Sequence, residues 1–144
     1  MSTEVAPVDM SYRDVVLYPV LDIAAFIHEH GKEGTIQVMQ KPGVLTSEYT
    51  EGKQFWVMAM DYEGTILASS RHPENAGTSA LSYTDIHGSS IGRELVMLAK
   101  NGGGAAYMSQ YDKEGNVRIY MLNTEPAGTD WFFVTVVRMG NAAV

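Results

Sequence analysis

Arg118 and Tyr120 stand two apart in a stretch of strand-forming residues, so an extended chain sends both side chains from one face. A guanidinium among apolar neighbours demands an anion, and a carboxylate can answer it with two parallel hydrogen bonds. The competing account is an outward-facing, solvated arginine. Trp56 and Met58 alternate with Phe55 and Val57, and their face serves equally as core or as the adaptable wall of a pocket. Arg71 and His72 lie in a polar segment placed to close over such a wall, and Tyr107 adds a phenol at a strand position. Trp56, Met58, Arg71, His72, Tyr107, Arg118 and Tyr120 together describe a site that holds a small anionic or polar molecule.

Signatures of catalysis and metal binding are missing. The chain has no cysteine, which excludes disulfides, thiol catalysis, zinc ribbons and iron–sulfur clusters. His28 and His30 are two apart and leave a helix on different faces, while His72 and His87 are isolated, so no metal or other cofactor is expected. Neither a Gly-x-Ser-x-Gly elbow nor a Walker-type loop occurs. Gly102-Gly103-Gly104 follows a helical pattern and precedes a strand, the order of a helix C-cap rather than of a phosphate cradle. Carboxylates and histidines are plentiful, but their spacing marks no acid–base pair.

The bulk properties narrow the partners. A chain of 144 residues, 45% hydrophobic and 19% charged, is large enough to fold as one domain around its own core. Its net charge of -7 argues against nucleic acid and against an anionic membrane surface, both of which need a basic face. No apolar run approaches the roughly 20 residues of a membrane span, so direct membrane insertion is not expected. The start carries no signal-peptide pattern, which fits a cytosolic protein or a mature or excised form.

The elements that would position these residues follow from periodicity and turn chemistry. Residues 1–10 read as a flexible tail and 11–42 as an N-terminal helical segment. In that helix Val16, Val20, Ala24 and Ile27 form a stripe beside Leu17 and Leu21, Pro19 predicts a kink or a late start, and Gly31 and Gly34 punctuate the far end. Residues 36–39 continue it briefly before Pro42-Gly43, and 43–53 read as loop. Strands are expected over 55–60, 65–69, 105–111, 116–123 and 130–138, with a helix around Ile91, Leu95, Val96, Leu98 and Ala99 capped by Ser89 or Ser90. An acid-x-x-Gly turn occurs three times, at Asp61, Asp85 and Asp112. The fold class is α+β: a long N-terminal helix, then in 43–144 an antiparallel sheet of about five strands with an inserted helix.

In order and spacing these pieces resemble the single Cache domain of bacterial and archaeal chemoreceptors and sensor kinases. The residues that carry the likeness are the run from Met60 to Ala68, His72-Pro73 with Gly77, Asp85-Ile86-His87-Gly88 leading into Arg93-Glu94-Leu95, then Gly102-Gly103-Gly104 with Tyr107, Tyr120, and Asp130-Trp131. The helix with Gly31 resembles the family's N-terminal helix. The resemblance implies a PAS-like, extracytoplasmic sensor domain with a pocket for small organic molecules, many of them carboxylates, and dimer contacts through the N-terminal helix. The cytoplasm stays open as a location. Two departures stand out. The family often carries a Lys three residues before the Tyr at 120, where this chain has Val117 followed by Arg118. Its His-Pro usually follows the return strand directly, whereas here Ser69-Ser70-Arg71 intervenes. The expected function is a non-catalytic, small-molecule-binding sensor for signal transduction, with a homodimer through the helix over 16–27. The alternatives are an enzyme of unrecognised type using Asp or Glu with His, and a structural dimerisation module.

Overall fold

Three turns of one design frame the molecule, and they are the three acid-x-x-Gly sites. In each, the Asp Oδ1 accepts backbone N–H groups two and four residues on: Glu63 and Thr65 onto Asp61, both at 2.9 Å; His87 and Ser89 onto Asp85, at 2.9 and 3.1 Å; Glu114 and Asn116 onto Asp112, at 2.9 and 2.8 Å. Gly64, Gly88 and Gly115 each donate to the carbonyl of that Asp and adopt φ of 91°, 83° and 87°, a region that only glycine enters without steric cost. The turns at Asp61 and Asp112 join hairpin strands; the turn at Asp85 does other work, described below.

The computed structural model describes residues 18–41, 47–49 and 53–141. The expected tail over 1–10, the helix start before residue 18 with Val16 and Leu17, and the segment boundary at 42–43 lie outside the described residues. Within them, helix α1 (Tyr18–Met39) is followed by strands β1 (Ser47–Tyr49), β2 (Lys53–Asp61) and β3 (Ile66–Ser69). A 3-10 turn (Pro73–Asn75), helix α2 (Ile91–Lys100) and strands β4 (Gly104–Tyr111), β5 (Val117–Pro126) and β6 (Trp131–Asn141) complete the order. The six described strands form one antiparallel sheet in the order β1-β2-β6-β5-β4, with β3 also paired to β2. This is the PAS-like antiparallel sheet with an inserted helix that the sequence predicts, plus one short strand, β1, inside the stretch read as loop.

Strand β6 is central because both its faces are apolar. It pairs with β2 from Phe55↔Val137 to Asp61↔Trp131, and with β5 on its other edge. Alternation then makes two distinct faces. On one, Val57, Ala59, Ala68, Trp131 and Phe133 pack with Ile23 and Met39 of α1. On the other, Met60, Ala106, Met108, Leu122, Phe132, Val134 and Val136 face Ile91, Leu95, Val96 and Ala99 of α2.

Within the described helix the break falls at Gly31 (φ 73°, ψ −179°), and Pro19, where the sequence predicts a kink or a late start, is the second residue of that helix and makes no kink in it. The Thr35 hydroxyl donates to the Gly31 carbonyl at 2.7 Å, satisfying an acceptor that the break leaves over. Ile23 is buried and Ile27 packs partly against the sheet, so this part of the predicted stripe is spent within the domain, while Ala24 is exposed. Helix α2 begins after Ser90, whose side chain makes no capping bond, and ends at Asn101, with Gly103 N–H closing onto the Leu98 carbonyl at 2.8 Å. The triple glycine is therefore a helix terminus.

Candidate ligand pocket

Between the second face of the sheet and the segment from Ser69 to Leu95 lies an open cavity of about 710 Å3. Its floor is apolar: Trp56 and Met58 from β2, Met108 from β4, Leu122 from β5 and Val136 from β6. Ile91, Gly92 and Leu95 of α2 close one side. The rest of the wall is polar, made of Ser69, His72, Glu74, Asn75, Thr78, Ser79, Ser82, Tyr83 and Thr84. An apolar floor beneath a rim of hydroxyls and an amide suits a small amphipathic organic molecule.

The cavity exists because its polar wall has little regular structure of its own and is pinned from outside. Asp85 is the main pin. Besides holding His87 and Ser89 through Oδ1, it accepts the Ser109 N–H of β4 on Oδ2 at 3.1 Å, tying the wall to the sheet edge. Burial works to raise the pKa of Asp85, but the backbone N–H groups of Ser109, Ser89 and His87 hold the carboxylate below its ordinary range. A second pin is Gln40 at the end of α1, which accepts the Ser69 N–H at 3.0 Å and donates to the Pro73 carbonyl at 3.3 Å. A third is the contact of α2 on the wall: a Cβ at Gly92 would lie 1.7 Å from the Ala80 carbonyl oxygen, so only glycine permits that approach.

The residues expected from sequence divide into three groups. Trp56, Met58 and His72 line the cavity. Arg71 and Tyr120 border it through Trp56: the Arg71 guanidinium sits 4.5 Å over the Trp56 ring, and Tyr120 meets Trp56 edge-on at 5.6 Å. Tyr107 and Arg118 do not line it. Tyr107 is 59% exposed, because Met108 takes the inward position on β4 and alternation turns Tyr107 out. Arg118 is on the inner face, as its pairing with Gln110 and its two-residue spacing from Tyr120 require, but its Nη2 is bound to Asp112 at 2.7 Å. Burial works to raise the pKa of Asp112, while the Asn116 N–H and the Arg118 charge hold it below the usual carboxylate range. The turn that forms the β4–β5 hairpin thus also answers the arginine, a pairing visible only once the hairpin register is known.

Sequence reasoning missed Tyr83. The residue is 44% exposed, yet its hydroxyl accepts a hydrogen bond from the Gln110 amide and lies 3.7 Å from Met108 Sδ. Burial pushes the Tyr83 pKa up, so it stays a neutral phenol at the cavity wall. His72 Nδ1 lies 3.3 Å from Glu74, whose carboxylate is held below its ordinary range first by its own backbone N–H and further by His72. Glu74, the lone carboxylate of the lining, has a 70% exposed side chain, and among the described residues no three His, Asp or Glu converge as metal ligands.

The family model described as Single Cache domain 2 matches residues 32–142. Among solved structures, a methyl-accepting chemotaxis protein from Vibrio parahaemolyticus RIMD 2210633 superposes with a TM-score of 0.66 at 15% identity, over 90% of this chain and 88% of that one. A Cache chemosensory domain solved as a structural basis for carboxylic acid recognition gives a TM-score of 0.60 at 15% identity, over 94% and 97% of the two chains. The periplasmic sensor domain of a chemotaxis protein gives 0.52 at 16% identity, over 85% of each chain. No curated protein matches the chain.

Proposed function

The chain belongs to the Single Cache domain 2 family, and from that premise we propose that it is a non-catalytic, extracytoplasmic sensor unit that takes a small organic ligand between its sheet and the Ser69–Leu95 wall. The cavity of about 710 Å3, apolar below and hydroxyl-lined above, is the observation that carries this reading. Ligand contacts are assigned to Trp56, Met58, His72 and Tyr83. A carboxylic acid is the proposed ligand class, supported by one fold relative solved for that recognition. Signalling requires that the ligand bind one arrangement of the wall better than another. The Gln40 bonds to Ser69 and Pro73 supply a direct link from that wall to α1.

Mass spectrometry of denatured, freshly purified protein, followed by thermal-shift screening of small organic acids, tests the pocket. A ligand that stabilises the wild type and is lost in Trp56→Ala supports it. A panel of acids and neutral analogues that leaves the melting temperature unmoved overturns it. A homodimer through α1 is part of the same proposal, with exposed Ala24 and Ala25 permitting close helix approach. Sedimentation that shows monomer at all micromolar concentrations removes it.

A further inference from the structure

One hydroxyl of the pocket wall has its direction set by a residue outside the pocket. Tyr83 is fixed through its own backbone: its N–H donates to the Ala80 carbonyl at 3.0 Å, and its carbonyl accepts the N–H of Ile91, the first residue of α2, at 3.1 Å. From there the side chain reaches across to β4, where Met108 and Gln110 stand two apart and leave one face of the strand about 7 Å from each other. The Tyr83 hydroxyl meets both. The Gln110 amide donates to its oxygen, and Met108 Sδ lies 3.7 Å from it. Tyr83 and Met108 line the cavity, whereas Gln110 does not.

A phenol oxygen carries one proton and also accepts. With the Gln110 N–H on its accepting side, the Tyr83 proton turns the other way, towards Met108. Among the described residues the thioether is all that answers it there, and a thioether is a weak acceptor. Tyr83 keeps that proton, because burial pushes its pKa up. The wall thus offers the cavity a hydrogen-bond donor whose present partner is easily displaced. We infer that Gln110 is a positioning residue for ligand choice: by donating to the Tyr83 oxygen it turns the Tyr83 O–H to the cavity, where an acceptor oxygen of the bound molecule, charged or uncharged, replaces the Met108 thioether. A molecule that presents a donor at this point meets a proton and is disfavoured. This rests on the pocket reading and adds to it the hydrogen-bond polarity of one wall.

Two uncharged rings of similar size test the polarity by NMR titration: cyclopentanone, which only accepts, and pyrrole, whose N–H only donates. Propionate serves as an acceptor of the acid class. Cyclopentanone should bind Tyr83→Phe about twofold to tenfold more weakly than wild type, the range for one neutral hydrogen bond, while pyrrole should not weaken. Gln110→Glu keeps the phenol but supplies an acceptor that takes its proton, so the lone pairs then face the cavity. Cyclopentanone should weaken by a similar factor and pyrrole should tighten, a change of preference that a merely structural Gln110 would not produce. The same inversion should appear without any probe in the resonance of the hydroxyl-bearing ring carbon of Tyr83, identified by its absence from Tyr83→Phe. An equal ratio of the two affinities in wild type and Gln110→Glu overturns the inference, as does a wild-type resonance that shows the hydroxyl donating to Gln110. Should Gln110→Glu misfold, Gln110→Leu replaces it: the freed hydroxyl should lose part of the preference, and an unchanged preference overturns the inference. Propionate binding with no preference between the rings overturns the polarity and keeps the pocket, whereas no binding of propionate or either ring overturns both.

Discussion

The two faces of the sheet are built by the same strands and differ in what covers them. Behind Val57, Ala59 and Phe133, helix α1 packs Ile23 and Met39, with Ile27 and Ile36 partly buried, into one apolar cluster with the strands, the solid face. In front of Trp56, Met58 and Val136, the cover is a wall of turns held at Asp85 and Gln40, with one short helix beside it, and the interface encloses space. A helix can follow a twisted sheet at van der Waals distance, whereas a segment that satisfies its backbone in turns stands off from it. The hollow therefore comes from the secondary structure of the cover rather than from smaller floor residues.

Matched truncations expose that difference most strongly. Phe133→Ala, on the solid face, should lower unfolding free energy by about 3–5 kcal/mol, while Met58→Ala, beside existing space, should lose less than half as much and change ligand affinity instead. Denaturant unfolding of both variants measures this, and equal losses would break the contrast. Next in size, Gly92→Ala drives a Cβ into the Ala80 carbonyl and should cost about 1–3 kcal/mol, because backbone must move. If the wall gives way freely, the variant will melt with the wild type and the idea of a pinned wall fails.

The Asp85 pin can be tested by substitution and by pH. Asp85→Ala leaves the Ser109, Ser89 and His87 N–H groups without their acceptor and should cost about 1–3 kcal/mol. Folding holds the Asp85 and Asp112 pKa values below those of the unfolded chain. Their stabilisation is thus fully present above the unfolded value of about 3.9 and is lost as pH falls through the folded values. Unfolding free energy should drop on acidification below about pH 4, and the drop should shrink in Asp85→Ala; an unchanged slope would count against the pin. The smallest effect belongs to Lys32 on α1, whose Nζ lies 2.8 Å from Asp130 with side chains 33% and 68% exposed. Lys32→Ala should cost about 0–1 kcal/mol and fade further in salt; a larger loss would mean that the solid face depends on charge as well as packing.

Much of this frame was legible in the sequence because it is local. Acid-x-x-Gly fixes a turn through one carboxylate and one glycine within five residues, and the apolar run at Trp131–Val137 announces a strand buried on both faces. The helix terminus before Gly102-Gly103-Gly104 is local in the same sense. The site was legible only in part. Trp56, Met58 and His72 were recoverable from alternation and turn placement, but the alternation of β4 could not say whether Tyr107 or Met108 faced inward. Arg118 was placed on the correct face, yet its partner Asp112 comes from hairpin register. Tyr83 lies in a segment with no periodicity. The short strand β1 is too brief to leave a pattern.

The Gln40 side chain has one further consequence. Its amide carries an acceptor and a donor on a single rigid plane, and these are committed to two points of the pocket wall four residues apart, Ser69 and Pro73. Any rearrangement that alters the spacing of those points must break a bond or turn the end of α1 with it. Linkage then runs in both directions: whatever factor the bound molecule applies to the position of α1, a restraint placed on α1 must apply to the affinity for that molecule. A receptor that clamps the helix would set the concentration at which its own sensor responds.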